Sequence, residues 1–256
     1  QKQLEMLKEL ELNYEDFIKL KKYCDEKKII FLSTPHTEDA MYFLKDLVPA
    51  FKIGSGDITN LPFLKKIAKM NKPIIISTGM STIDDVKKAL DTVYLEGNRQ
   101  VIMLHCTTNY PCPLRETNLR AMLTMQNELD CLIGYSDHTE GIEIPLIAKQ
   151  LGAVVIEKHF TLDKKIKGPD HKASLEPHEL KKMIEVLKNF SRKIDFEEIL
   201  GISEKKPTLS ELEIMKIARK SIISKREIPQ GKKIEEDDLI IKRPGTGISP
   251  EKIDEV

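Results

Sequence analysis

Pro73-Ile74-Ile75-Ile76-Ser77-Thr78-Gly79 is an unbroken apolar run that ends in a cluster of small polar residues. A strand with one solvated face alternates apolar and polar residues. A continuous run of β-branched residues instead fits a strand buried on both faces, as in a parallel sheet. The same pattern recurs on both sides of it. Ile29–Leu32 ends in Ser33-Thr34-Pro35, and Ala50–Ile53 ends in Gly54-Ser55-Gly56. Val101–Leu104 leads to His105-Cys106-Thr107, Cys131–Ile133 to Gly134-Tyr135-Ser136-Asp137-His138, and Ala153–Ile156 to Glu157-Lys158-His159. Amphipathic stretches lie between or beside these runs, at Tyr14–Lys27, Leu61–Met70, Thr82–Tyr94, Leu119–Glu128 and Ile142–Leu151. Strands alternating with helices imply βαβ units with right-handed crossovers.

Six such units suit either an open doubly wound sheet or part of an eight-stranded barrel. An open sheet gathers its ligand groups at one switch point, whereas a barrel gathers them from every strand at one face. Here a polar cluster follows every strand. The expected fold is therefore a (β/α)8 TIM barrel with strands 3–8 in this chain and the first two units before Gln1. A helix at His178–Phe190 closes the barrel, so residues 1–190 form a partial barrel and 191–209 a linker. Residues 210–256, with short apolar runs around Ile222-Ile223 and Leu239-Ile240-Ile241 and a turn at Pro229-Gln230-Gly231, read as a small β-rich domain.

Bulk properties exclude several classes. Lys+Arg and Asp+Glu are equal at 41 each, so no global field favours nucleic acid or an anionic membrane. No apolar run approaches the roughly 20 residues that cross a bilayer. The four cysteines form no CxxC pair, which argues against a thiolate metal site or a disulfide framework and fits a reducing cytoplasm.

His138 and His159 end consecutive strands. Neighbouring parallel strands lie about 4.8 Å apart, so the two imidazoles can converge on one divalent ion. They can equally be hydrogen-bonded residues of the barrel mouth. Asp170 and His171 follow in a turn and could add a carboxylate or an imidazole, or simply cap the local backbone. Thr34, Ser55, Ser77, Thr107, Thr108 and Ser136 each stand just past a strand. Together with Gly54, Gly56 and Gly79 they form a ring of small donors that, with exposed backbone N–H groups, suits a phosphate. Lys52 and Lys158 interrupt apolar runs and each needs an anionic partner, which could be a ligand or an interior acid such as Glu157. A barrel lysine could also attack a carbonyl. Cys106 is expected in the core. No nucleotide-binding glycine motif and no GxSxG elbow is present.

Taken in order, Phe51–Gly56, Ile76–Met80, His105–Pro111, Gly134–Thr139, Ile156–Phe160 and Gly168–Ser174 resemble the N-acetylneuraminate (sialic acid) synthase family, which includes legionaminic acid synthases. The tail Lys242–Ser249 is similar to that family's C-terminal antifreeze-like (SAF) domain. The resemblance implies condensation of phosphoenolpyruvate with N-acetylmannosamine, water addition and release of phosphate by C–O cleavage. The diacetamido precursor of legionaminic acid is the alternative sugar. It implies a divalent metal (Mn2+, Mg2+ or Co2+) on His138 and His159, with Lys52 and Glu157 as catalytic residues. Thr34, Ser55, Ser77, Thr108 and Ser136 would cradle phosphate, and Tyr110 and Asp170 would contact the sugar. Arg243 would reach the partner subunit's site in a homodimer with exchanged C-terminal domains. A further glutamate and lysine of the family's site are expected on the first two strands, ahead of Gln1. Without them, a non-catalytic carbohydrate-binding or assembly protein is the competing class.

Overall fold

The computed structural model describes residues 3–168, 170–189 and 197–256. Helices α1 (Gln3–Leu10), α2 (Tyr14–Glu26) and α3 (Glu38–Leu44) lead into strand β1 (Phe51–Ile53). Then follow α4 (Leu61–Ala68), β2 (Ile74–Ser77), α5 (Ile83–Leu95), β3 (Val101–Cys106), α6 (Leu119–Glu128), β4 (Leu132–Asp137), α7 (Glu143–Gln150) and β5 (Ile156–Lys158). Helix α8 (Pro177–Asn189) comes next, and then α9 (Glu197–Leu200), α10 (Leu209–Ala218), β6 (Ser221–Ser224) and β7 (Leu239–Lys242).

Strands β1 to β5 pair in parallel in strict chain order. A doubly wound sheet must reverse its order at a switch point. This one does not, so it winds as a barrel does. The winding continues past β5, where Leu175 bridges in parallel to Phe160. The Leu175 N–H donates to the His159 carbonyl at 2.8 Å, and the Thr161 N–H donates to Leu175 at 2.9 Å.

The local causes are legible. Helix α5 starts with a reciprocal cap between Thr82 and Asp85, and Val86, Ala89, Leu90 and Val93 form its buried stripe. Helix α6 buries Leu119, Met122 and Met125 in the same way. These faces pack on Phe51, Ile53, Ile74, Ile76, Met103, Ile133 and Tyr135, which form one core.

Two expectations are corrected. Ile29–Leu32 is not a strand. Among the described residues no strand flanks β1 on that side, and a parallel strand without a ladder partner has nothing to hold it extended. Ile29 and Ile30 are accordingly 63% and 73% exposed. The last run is displaced as well. Val154 and Val155 already exchange backbone hydrogen bonds with β4, but the regular strand is Ile156–Lys158, so Glu157 and Lys158 lie within it.

The segment read as a linker has structure where it is described. Helix α9 lies beside α6, the Thr117 hydroxyl donates to Ile199 at 3.0 Å, and Arg120 donates to Gly201 at 2.8 Å. Residues 190–196 lie outside the described residues. Helix α10 occupies the expected start of the small domain. Only after it do β6 and β7 pair antiparallel, with Ile222 also bridged to Ile248.

Candidate active site

Side chains alternate across a sheet, so the register sorts the polar residues into two faces. Cys106, Ser136 and Glu157 align across β3, β4 and β5, and so do His105, Tyr135 and Ile156 one step earlier. Asp137 aligns with Lys158 one step later. The contacts follow this parity. His105 packs on Tyr135, with ring centroids 5.8 Å apart, on the helix-facing side. On that same side Lys158 Nζ lies 2.5 Å from Asp137 Oδ2, with both side chains buried. Lys158 therefore faces away from the mouth and is paired with Asp137, not Glu157.

Lys52 faces inward. Its Nζ donates to Ser77 Oγ at 2.7 Å and to the Ile53 carbonyl at 2.9 Å, and lies 3.4 Å from Glu157 Oε2. Ser136 Oγ donates to Glu157 Oε1 at 2.6 Å, and Ser77 Oγ lies 3.5 Å from the same oxygen. A cation, two hydroxyls and a carboxylate thus form one connected chain at the inner strand ends.

His138 and His159 converge beside it. Their ring centroids are 5.3 Å apart and nearly perpendicular. Tyr110 covers both, at 4.1 Å from His138 and 5.2 Å from His159. His138 Nδ1 lies 2.7 Å from the Thr107 carbonyl, which can only accept, so Nδ1 carries a proton and Nε2 is the nitrogen left with a lone pair when the ring is neutral. Burial opposes charge on His138. The neighbouring Cys106 sulfur and the Thr107 carbonyl outweigh it and push the pKa up to about 9. Burial, and then His138, hold His159 below its ordinary value. Asp170 Oδ2 is 3.9 Å from His159 Nδ1. His171 turns away, with Nδ1 2.8 Å from Thr161 Oγ1. Among the described residues no group of three or more His, Cys, Asp and Glu is placed to hold a metal. The two imidazoles fit a divalent cation as a pair of nitrogen donors once His138 gives up the proton on Nε2, with its remaining ligands coming from elsewhere.

The loop after β2 differs from the expected cradle in its donors. The Thr78 N–H donates to Leu104, the Gly79 N–H to Ser55 Oγ at 3.0 Å, and the Met80 N–H to Glu211. These amides are engaged inside the protein, so an anion at the mouth would meet hydroxyls and Lys52 instead. Thr108 Oγ1 is buried and has no hydrogen-bond partner within the protein. It faces Gly79, where a Cβ would overlap it and would stand 2.8 Å from Ser55 Oγ.

Two other expected residues make no hydrogen bond to this group among the described residues. Thr34 is half-buried and, among the described residues, forms no hydrogen bond to this group. Arg243 is exposed, and its Nη2 would be 3.9 Å from a Cβ on Gly56 of the same chain. Sequence reasoning missed Cys106 as a mouth residue. It is buried, but its sulfur is 3.6 Å from Ser55 Oγ and 3.8 Å from His138 Nδ1. It also missed Glu211, Arg219 and Lys220, whose contacts span more than a hundred positions. The Thr208–Glu211 spacing is a helix-start signal but does not reveal a second partner for the carboxylate.

Comparison with known proteins matches both parts of the chain. A sequence model of the NeuB family matches residues 1–198, and one of the SAF domain matches residues 219–256. The N,N'-diacetyllegionaminic acid synthase of Legionella pneumophila is 44% identical over 99% of this chain and 71% of its own length. The enzyme of the same name from Campylobacter jejuni is 44% identical over 99% of this chain and 75% of its own. The crystal structure of the spore coat polysaccharide biosynthesis protein SpsE from Bacillus subtilis, 38% identical, covers 95% of this chain and 72% of that one with a TM-score of 0.88.

Proposed function

Since the chain belongs to the NeuB family and carries a C-terminal SAF domain, we propose that it condenses phosphoenolpyruvate with an N-acetylated mannosamine-type aldose to give a nonulosonic acid. The observation that carries this reading is the Lys52–Ser77–Glu157–Ser136 chain lying at the same inner strand ends as the His138–His159 pair.

Phosphoenolpyruvate brings a carboxylate and a phosphate. Lys52 supplies the cationic charge for it at the inner face, and Ser77, Ser136, Ser55 and Thr108 supply hydroxyls. Thr108 Oγ1 has no partner within the protein and is free to donate. His138 and His159 would hold a divalent cation, whose chemistry is Lewis-acid polarisation of the sugar aldehyde. C3 of phosphoenolpyruvate attacks the aldehyde carbon, water adds at C2, and phosphate leaves by C–O cleavage. Glu157 accepts hydrogen bonds on one oxygen and lies by Lys52 on the other, so it is placed to hold or pass the proton of the attacking water. The Tyr110 ring covers the imidazoles and screens them from bulk water. Asp170 near His159 is placed for a sugar hydroxyl. Arg243 completes the sugar site in a homodimer with exchanged C-terminal domains.

Of the two sugars, the diacetamido precursor of legionaminic acid is favoured over N-acetylmannosamine, because the two relatives at 44% identity carry the name of that synthase. The test is turnover of the protein with phosphoenolpyruvate and each sugar in turn. Higher kcat/KM for the diacetamido sugar supports the choice, and higher kcat/KM for N-acetylmannosamine reverses it. Phosphate release with neither sugar ends the synthase reading.

A further inference from the structure

Three of the loops that form the mouth are tied to a single downstream segment, Lys205–Lys220. Glu211 Oε1 accepts the Met80 N–H and the Thr108 N–H, both at 2.7 Å. Its Oε2 accepts the Thr208 N–H at 2.9 Å, closing the cap of α10. Arg219 Nη2 donates to the Met80 carbonyl at 2.6 Å and to Ser81 Oγ at 2.9 Å, while Nη1 donates to Thr59 Oγ1 at 3.1 Å. Lys220 Nζ lies 2.6 Å from Asp57 Oδ1, and Lys205 Nζ donates to the Ser81 carbonyl at 3.0 Å. These contacts fall on the loops after β1, β2 and β3, which carry Ser55, Gly79 and Thr108.

Glu211 is 1% exposed. A buried carboxylate beside a site that takes anions works against substrate binding unless it does something else there. What it does is bind two amides from different loops at one oxygen. Charge-assisted bonds to backbone N–H groups are about twice as strong as neutral ones. The shared oxygen fixes the spacing of Met80 and Thr108, and hence where the unpartnered Thr108 Oγ1 stands against Gly79. Lys205 and Arg219 interact electrostatically with the carboxylate and offset part of its charge.

We propose that Glu211 is a positioning residue that sets the phosphate end of the mouth from outside the barrel strands, by clamping the loops after β2 and β3. This rests on the synthase reading for its kinetic consequence, though not for the clamp itself. The clamp is tested first, by amide hydrogen exchange in the wild-type protein. Met80 and Thr108 are expected to be protected without phosphoenolpyruvate and to change little when it is added. Protection that appears only with phosphoenolpyruvate overturns the proposal, whatever the enzyme turns over.

Kinetics then separate positioning from mere stability. Glu211→Gln removes the charge and sets an amide N–H against one of the donors. It is expected to raise KM for phosphoenolpyruvate tenfold or more while KM for the sugar stays within twofold. Thr208→Ala weakens the α10 cap from its other side and is expected to lower the melting temperature with both KM values unchanged. A Glu211→Gln enzyme whose KM for phosphoenolpyruvate stays within twofold of wild type, or whose two KM values rise together, reduces Glu211 to a helix anchor.

Discussion

Lys52 and Lys158 stand in closely similar apolar runs, yet the register sends them to opposite faces, and replacing each by methionine separates the two roles. Lys158 Nζ is 2.5 Å from Asp137 Oδ2, and the two side chains are 3% and 0% exposed. Removing the lysine leaves a carboxylate buried without its counter-charge, a change that costs about 3–5 kcal/mol. The Thr139 N–H and hydroxyl still donate to Asp137, at 3.0 and 2.9 Å, so the lower end, about 3 kcal/mol, is expected. For a chain of this size about 1 kcal/mol shifts Tm by roughly 2–4 °C, so Lys158→Met should melt roughly 6–12 °C lower. Lys52 pairs instead with a carboxylate that is 39% exposed, and losing such a pair costs about 1 kcal/mol or less. Lys52→Met should therefore melt within a few degrees of wild type. Its kcat/KM for phosphoenolpyruvate should fall a hundredfold or more, about 2.7 kcal/mol of lost transition-state binding. Scanning calorimetry and steady-state kinetics on both variants read the two effects. A Lys158→Met enzyme with normal Tm and lost activity, or a Lys52→Met enzyme that is unstable but fully active, refutes the assignment of faces.

Four further outcomes follow from the same structure. His105 is buried with Nε2 donating to the Thr117 carbonyl and Nδ1 unpartnered, and burial lowers its pKa to about 3. Below pH 6.5 the unfolded chain binds a proton there that the folded chain does not, so stability falls as pH falls. The loss is on the order of a few kcal/mol between pH 6 and pH 4, and urea titrations should show a flatter pH profile for His105→Gln. Gly79→Ala forces a methyl into Thr108 Oγ1 and Ser55 Oγ, an overpacking that costs about 1–3 kcal/mol; kcat/KM for phosphoenolpyruvate should drop at least tenfold, and an unchanged value would show that the cradle is elsewhere. His138→Ala and His159→Ala should each abolish metal-dependent turnover with the fold intact by circular dichroism, and retained activity after chelator treatment removes the two-histidine centre. Arg243→Ala should raise the sugar KM about tenfold and leave that of phosphoenolpyruvate within twofold; mixed with His138→Ala it should regain activity if the C-terminal domains are exchanged, whereas an inactive mixture keeps the arginine in its own chain's site.

How much of this was legible beforehand depends on whether the deciding interaction is local. Runs such as Ile74–Ser77 and Val101–Cys106 carry their fold class in their composition, because burial on both faces leaves no alternation, and the sheet forms there. Ile29–Leu32 has the same composition and forms no strand, because pairing is a property of neighbours and the run has no ladder partner. The convergence of His138 and His159 was legible because both follow adjacent strands by the same small step. The outward turn of Lys158 was not, because it depends on where β5 begins, and a shift of one residue exchanges the two faces. Glu211 lay beyond reach for another reason. Its helix start is local, but its two amide partners are fixed only when α10 docks on the mouth.

The central claim is that the inner strand ends join phosphoenolpyruvate to an aldose by breaking the C–O bond. Supplying phosphoenolpyruvate with 18O in the bridging position, together with the diacetamido sugar, tests it most directly. The expected result is phosphate released only when sugar is present and carrying the label. Label retained in the organic product, or phosphate released at the same rate without sugar, would contradict the account.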